Sequence, residues 1–127
     1  MSATVLVVTG HAALRYELDS ELTNAGYDVL QAALGGQALD IVRSCQPHLV
    51  LLDLALEDCD GLDVARQLRD LGSPVAIIVL SESSESRSRM VEEHARSVGA
   101  ASYIMVPCPE GQLLRQVQDA LRVSVRP

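Results

Sequence analysis

The chain has 127 residues, 48% of them apolar, which suffices for one domain whose core needs no disulfide or metal staple. A formal charge of -7, with ten scattered arginines and no lysine, draws no basic face, so direct DNA binding and any role that demands lysine are excluded. No apolar run approaches the roughly 18 residues of a membrane span, and the amino terminus has no basic leader. The expectation is a soluble cytoplasmic protein.

Strand and helix patterns alternate five times. Thr4-Val5-Leu6-Val7-Val8 is a β-branched apolar run of the kind buried on both faces of a sheet. A helix follows with Leu14, Leu18, Leu22 and Ala25 on one face, closed by Gly26. Tyr27 to Ala32 alternates as an edge strand would. Ala38, Ile41, Val42 and Cys45 then recur at helical spacing until Pro47. Leu49 to Leu52 is a second buried strand. Asp60 is placed to cap a helix carrying Val64, Ala65, Leu68 and Leu71, which stops at Gly72 before Pro74. Val75 to Leu80 is again uniformly apolar. The fourth helix has Val91, His94, Ala95 and Val98 on its stripe and Gly99 as its stop, with His94 read as a partly buried packing residue. Tyr103 to Val106 forms the last strand. Pro109 opens a final helix buried through Leu113, Leu114, Val117, Ala120 and Leu121, and residues 121–127 include a frayed end or the start of a linker. No internal repeat or interior linker divides the chain, so residues 1–127 are read as one domain.

Three strands read as central and their connections are helical, so the sheet should be parallel, with helices on both faces. In such sheets ligands bind outside the carboxyl ends of the strands. The positions to weigh are Thr9, Gly10 and His11 after the first strand, Asp53 after the third, Ser81 and Glu82 after the fourth, and Val106 after the fifth. Cys45, Cys59 and Cys108 follow no metal or C-x-x-C spacing and read as free thiols. Cys59 and Cys108 fall in loops that could share one face, which leaves redox pairing open.

Asp53 is the most informative residue. It ends the apolar run Leu49-Val50-Leu51-Leu52, where a carboxylate is poorly solvated and aimed into a loop crevice. Its possible uses are metal ligand, nucleophile or acceptor of backbone hydrogen bonds. A magnesium site would need one or two further carboxylates. The first loop supplies only Thr9, Gly10 and His11, so Glu57, Asp58 and Glu82 are the remaining candidates. His11 could stand beside Asp53 as a cation or metal ligand, or be solvated. Ser81 could bind a ligand or satisfy loop backbone groups.

The segment Asp53-Leu54-Ala55-Leu56 leading to Asp60-Gly61, the hydroxyl at Ser81, the stretch Gly99-Ala100-Ala101-Ser102-Tyr103, and Pro107 resemble the receiver domain of two-component response regulators. The resemblance spans essentially the whole chain. It implies a flavodoxin-like (βα)5 three-layer sandwich with a five-stranded parallel sheet of order 2-1-3-4-5. It also implies that Asp53 is the phosphoacceptor for a histidine kinase, Ser81 the hydroxyl that bonds the phosphoryl oxygen, and Tyr103 the switch aromatic. The face of the fourth helix, fifth strand and fifth helix would then be the one that rearranges and meets a protein partner, a histidine kinase or an output protein. The chain would act there as a monomer or weak homodimer.

Four positions depart from that family pattern. The acidic pair that holds magnesium falls on Thr9 and Gly10, the lysine falls on Val106, and the small residue after the hydroxyl is Glu82. Phosphoryl transfer depends on positioning and charge stabilisation. An unshielded pair of like charges at about 4 Å costs about 4 kcal/mol at an effective dielectric near 20. That alone slows transfer roughly a thousandfold. The expectation is therefore a pseudo-receiver, a non-enzymatic interaction module with no bound cofactor. The alternatives are a working phosphoacceptor whose metal pocket is rebuilt from Glu57, Asp58 or Glu82, and a small flavodoxin-like enzyme or nucleotide-binding domain. The last is disfavoured because no glycine-rich phosphate loop follows the first strand.

Overall fold

The computed structural model describes residues 2–81, 93–106, 108–109 and 111–124, with side chains up to residue 122. The elements are β1 (Thr4–Val8), α1 (Ala12–Asn24), β2 (Asp28–Ala32), α2 (Gly35–Cys45), β3 (Leu49–Asp53), α3 (Gly61–Asp70), β4 (Ala76–Ser81), the helical residues 93–97 of α4, β5 (Ser102–Met105) and α5 (Gln112–Ser124). The five strands form one parallel sheet of order β2-β1-β3-β4-β5. Crossing from β1 to β3 reverses the winding direction, which opens a crevice at the carboxyl ends of these two strands.

Alternation along each strand divides the core into two layers. Leu6, Val8, Val50, Leu52, Ile77 and Val79 pack with Ala38 and Val42 of α2, Val64, Ala65 and Leu68 of α3, and Ala95 and Val98 at α4. Val5, Val7, Leu49, Leu51, Ile78, Leu80 and Ile104 pack with Leu18 and Leu22 of α1 and Leu113, Val117, Ala120 and Leu121 of α5. The continuous apolar runs of β1, β3 and β4 are therefore the strands covered on both sides, while β2 and β5 are the edges.

Several helix-face expectations fail at the last turn. Ala25 and Cys45 are exposed, and Leu71 is 53% exposed. Ala25 and Leu71 are the C-cap residues that follow α1 and α3, and Cys45 is the last residue of α2, so all three stand at the ends of their helices. His94 is also exposed, and Ala95 and Val98 alone carry the described apolar face of α4. The predicted tail begins too early: α5 continues to Ser124 and Leu121 is buried against the sheet. The last two strands sit one residue out of phase with their apolar runs, because Ser81 pairs with Met105 and so belongs to β4. Cys59 and Cys108 are free thiols and pack against opposite layers of the core.

Arg69, which no sequence pattern singles out, holds the fold together at the end opposite the crevice. Its guanidinium donates to the carbonyls of Val98 at 2.9 Å, Ser73 at 3.0 Å, Val75 at 2.8 Å and Gly99 at 3.1 Å. One side chain thereby ties the end of α3, the approach to β4 and the end of α4. Partial burial lowers its pKa from the ordinary arginine value.

Candidate functional site

Asp53 closes β3 and is 4% exposed. The register pairs Val8 with Leu52, so Thr9, the next residue after β1, comes opposite Asp53. Thr9 is fully buried, and its Oγ1 donates to Asp53 Oδ2 at 2.7 Å. The other carboxylate oxygen, Oδ1, accepts the Ala55 N–H at 3.0 Å. Each oxygen thus has a neutral donor among the described residues, as a buried carboxylate needs.

The loop beyond Thr9 is pinned from several sides. The Thr9 N–H donates to Ala32 O at 3.1 Å and the His11 N–H to Thr9 Oγ1 at 3.2 Å. Arg15 on α1 donates from its guanidinium to Thr9 O at 2.8 Å and from Nε to Gln31 Oε1 at 3.1 Å. Its cation therefore serves the backbone of the loop, and no hydrogen bond to Asp53 is among its described contacts. Gly10 and His11 are exposed.

On the other side of Asp53 the chain turns through 54–60 into α3. Asp60 caps that helix by accepting the Leu62 N–H at 2.9 Å, as its sequence position predicts. Gly61 allows the turn to close: a Cβ there would lie 2.2 Å from Asp53 O and 3.0 Å from the Leu54 Cα, both backbone atoms that cannot move aside. Asp58 does not turn towards Asp53. Its carboxylate accepts the N–H groups of Gly35 at 2.9 Å and Gly36 at 3.0 Å, at the start of α2. Leu34 offers that helix no polar cap, so a carboxylate from a distant loop meets its orphan donors and positive dipole end. These bonds to Gly35 and Gly36 hold the Asp58 carboxyl below the ordinary range. Burial, then the negative neighbours Asp58, Asp63 and Asp60, pushes the adjacent Cys59 thiol up. Glu57 is exposed. Among the described residues no group of three or more His, Cys, Asp and Glu side chains is placed to hold a metal ion.

Ser81 ends β4 and is 2% exposed, with its carbonyl accepting the Val106 N–H at 2.8 Å. Val106 is 7% exposed and packs in the layer with α1 and α5. Tyr103 points into the opposite layer, where its hydroxyl is buried without a hydrogen-bond partner among the described residues. Glu82, Val91 and Pro107, all weighed from sequence, lie outside the described residues. The structure thus gathers Thr9 and Asp53, commits Asp58 to α2, and brings in Arg15 and Gly61. The sequence signal for Asp58 was the uncapped Leu34-Gly35-Gly36 start of α2. For Arg15 it was weaker, a long cation one turn into the helix after the site loop.

A doubly wound parallel sheet of this strand order, with a buried carboxylate at the carboxyl end of its central strand, is a flavodoxin-like domain. Residues 5–118 match the response regulator receiver domain family model, and the chain belongs to that family. It is the receiver domain of a two-component response regulator. It is 35% identical over 122 residues to the response regulator MprA of Mycolicibacterium vanbaalenii, covering 96% of this chain and 52% of that protein. The chain thus spans about half the length of the curated relatives it matches. The CheY-like receiver domain protein of Methanospirillum hungatei superposes with a TM-score of 0.87 at 24% identity, covering 98% of this chain and 97% of that one. The chemotaxis response regulator CheY4 of Vibrio cholerae gives 0.85 at 23% identity, covering 94% and 99%. Both likenesses bear on the fold. No described helix is long and apolar enough to cross a membrane.

Proposed function

We propose that this receiver is an atypical one, a cytoplasmic, non-enzymatic module that signals through contact with a protein partner and whose magnesium-dependent phosphorylation at Asp53 is impaired. The observation that carries the reading is the 2.7 Å hydrogen bond from Thr9 to Asp53. In the family pattern an acidic side chain stands at Thr9 and another at Gly10, and together with the phosphoacceptor they hold magnesium. Among the described residues the donor set does not fit that ion. Magnesium requires hard oxygen ligands at about 2.0–2.1 Å in near-octahedral array. The Thr9 hydroxyl has one proton and spends it on Asp53, Gly10 has no side chain, and Asp58 is bound to Gly35 and Gly36. Val106, where the family has lysine, is buried and apolar. A phosphoryl dianion arriving at Asp53 would meet neither the divalent ion nor the ammonium that stabilise charge in the transition state.

The partner surface in this reading is the face of α4, β5 and α5, and a histidine kinase or an output protein is the class of partner it serves. Met105 of β5 is 43% exposed, and Glu93 and Arg96 of α4 are exposed. A half-exposed methionine and charges of both signs suit a specific, moderate-affinity contact. The test is to expose the domain to a small-molecule phosphodonor, and separately to beryllofluoride, each with magnesium. Intact mass and amide NMR spectra are then recorded. Neither a phosphoryl adduct nor shifts at residues 9–11 and 53–55 are expected. A stable phospho-Asp53 would overturn the reading and favour a working acceptor with a rebuilt pocket.

A further inference from the structure

We infer that Thr9 and Asp53 form a metal-free latch, joining the β1–α1 and β3–α3 loops by hydrogen bonds where a receiver of the usual pattern joins them through a cation. The inference rests on the reading of impaired phosphorylation and extends it to regulation: the crevice is held in one state whether magnesium is present or absent.

The geometry has three parts. Thr9 Oγ1 uses its only proton on Asp53 Oδ2 and one lone pair on the His11 N–H, so the hydroxyl orientation is fixed from both sides. Asp53 Oδ1 is occupied by the Ala55 N–H. The chain of contacts therefore runs from the start of α1 through the hydroxyl and carboxylate into the turn before α3. Arg15 secures the far end by holding Thr9 O against Gln31 of β2. Thr9 is fully buried and Asp53 nearly so. Water does not compete for the bond, and a hydrogen bond to an ionised carboxylate in such surroundings is among the stronger kinds. A carboxylate in the place of Thr9 would have no proton to give and would repel Asp53 until a cation intervened. The threonine removes both the repulsion and the need for the cation, and Asp53 becomes a structural acceptor.

Thr9→Val and Thr9→Ser separate the hydroxyl from the methyl group. Urea unfolding of the full chain, followed by circular dichroism in magnesium and in EDTA, gives the readout. Thr9→Val should raise the unfolding equilibrium constant about ten- to a hundredfold, since it strips one donor from a buried carboxylate. Thr9→Ser, which keeps the donor, should lie closer to wild type. The wild-type midpoint should be the same in magnesium and EDTA. A Thr9→Val protein as stable as wild type, a Thr9→Ser protein as damaged as Thr9→Val, or a wild type stabilised by magnesium would each overturn the latch. If Thr9→Val does not fold, the wild type decides. Its Thr9 hydroxyl proton should exchange slowly enough to appear in the NMR spectrum with contacts to the Ala55 amide region, and rapid exchange would overturn the latch. Phosphoryl uptake at Asp53 is measured in a separate assay. A phosphorylated domain with an intact Thr9 effect would sink only the reading of impaired phosphorylation, and an inert domain without that effect would sink only the latch.

Discussion

Replacing Arg69 by methionine keeps the aliphatic stem and removes every hydrogen bond the guanidinium makes. Four backbone carbonyls lose a donor, those of Val98, Ser73, Val75 and Gly99. The Gly99 bond is exposed, so water replaces it at little cost. The other three are part-buried. At about 1 kcal/mol net for each, the loss is about 3 kcal/mol. A urea dependence of about 1–3 kcal/mol per molar turns that into a midpoint shift of roughly 1–3 M, read by circular dichroism. Arg69→Lys retains the charge on a single point donor that cannot reach three separated carbonyls, so it should recover less than half of the loss. Faster amide exchange at residues 98–101, which leave the end of α4, should accompany both variants. A midpoint within about 0.3 M of wild type for Arg69→Met, or full recovery by lysine, would refute the clamp. The consequence reaches function because α4 belongs to the face proposed to meet the partner, and Arg69 is its described tether to α3.

Two further outcomes follow from the site. Gly61→Ala sets a methyl group 2.2 Å from Asp53 O, a collision with the backbone of Asp53 and Leu54. It should cost about 3 kcal/mol through forced overpacking, and a thermal midpoint unchanged from wild type would show that the turn relaxes freely. Asp58 has a folded pKa below its ordinary value of 3.8, owing to the Gly35 and Gly36 N–H groups. A depressed folded pKa means that its contribution is complete above the unfolded value and is lost as pH falls through the folded one. Stability should therefore decline below about pH 4 in part through Asp58, and Asp58→Asn should flatten that portion of an acid titration. Identical pH profiles for the two proteins would remove Asp58 from the account.

The layered fold was legible because its signals are local. Runs such as Val5-Leu6-Val7-Val8 and Leu49-Val50-Leu51-Leu52 carry no polar residue and read as strands covered on both faces, which they are. Periodicity misled at Ala25, Cys45, Leu71 and His94, because an apolar phase says which way a side chain points and nothing about whether a layer lies there. Cys59 and Cys108 read as free thiols, and they are, packed against opposite layers of the core.

By itself the sequence determined the alternation of strands and helices and the place of Asp53 at the end of a buried strand, with Thr9, Gly10 and Val106 at the neighbouring strand ends. These are properties of residue type and order, which local sterics and burial translate directly into structure. Only the tertiary structure decided what each polar group near the site does. Thr9 and Asp53 are forty-four positions apart and meet because β1 and β3 are neighbours in register. Asp58 crosses to α2 because that helix begins without a cap. Hydrogen bonds are short-ranged and directional, so the partner of a side chain is fixed by which backbones the topology brings together.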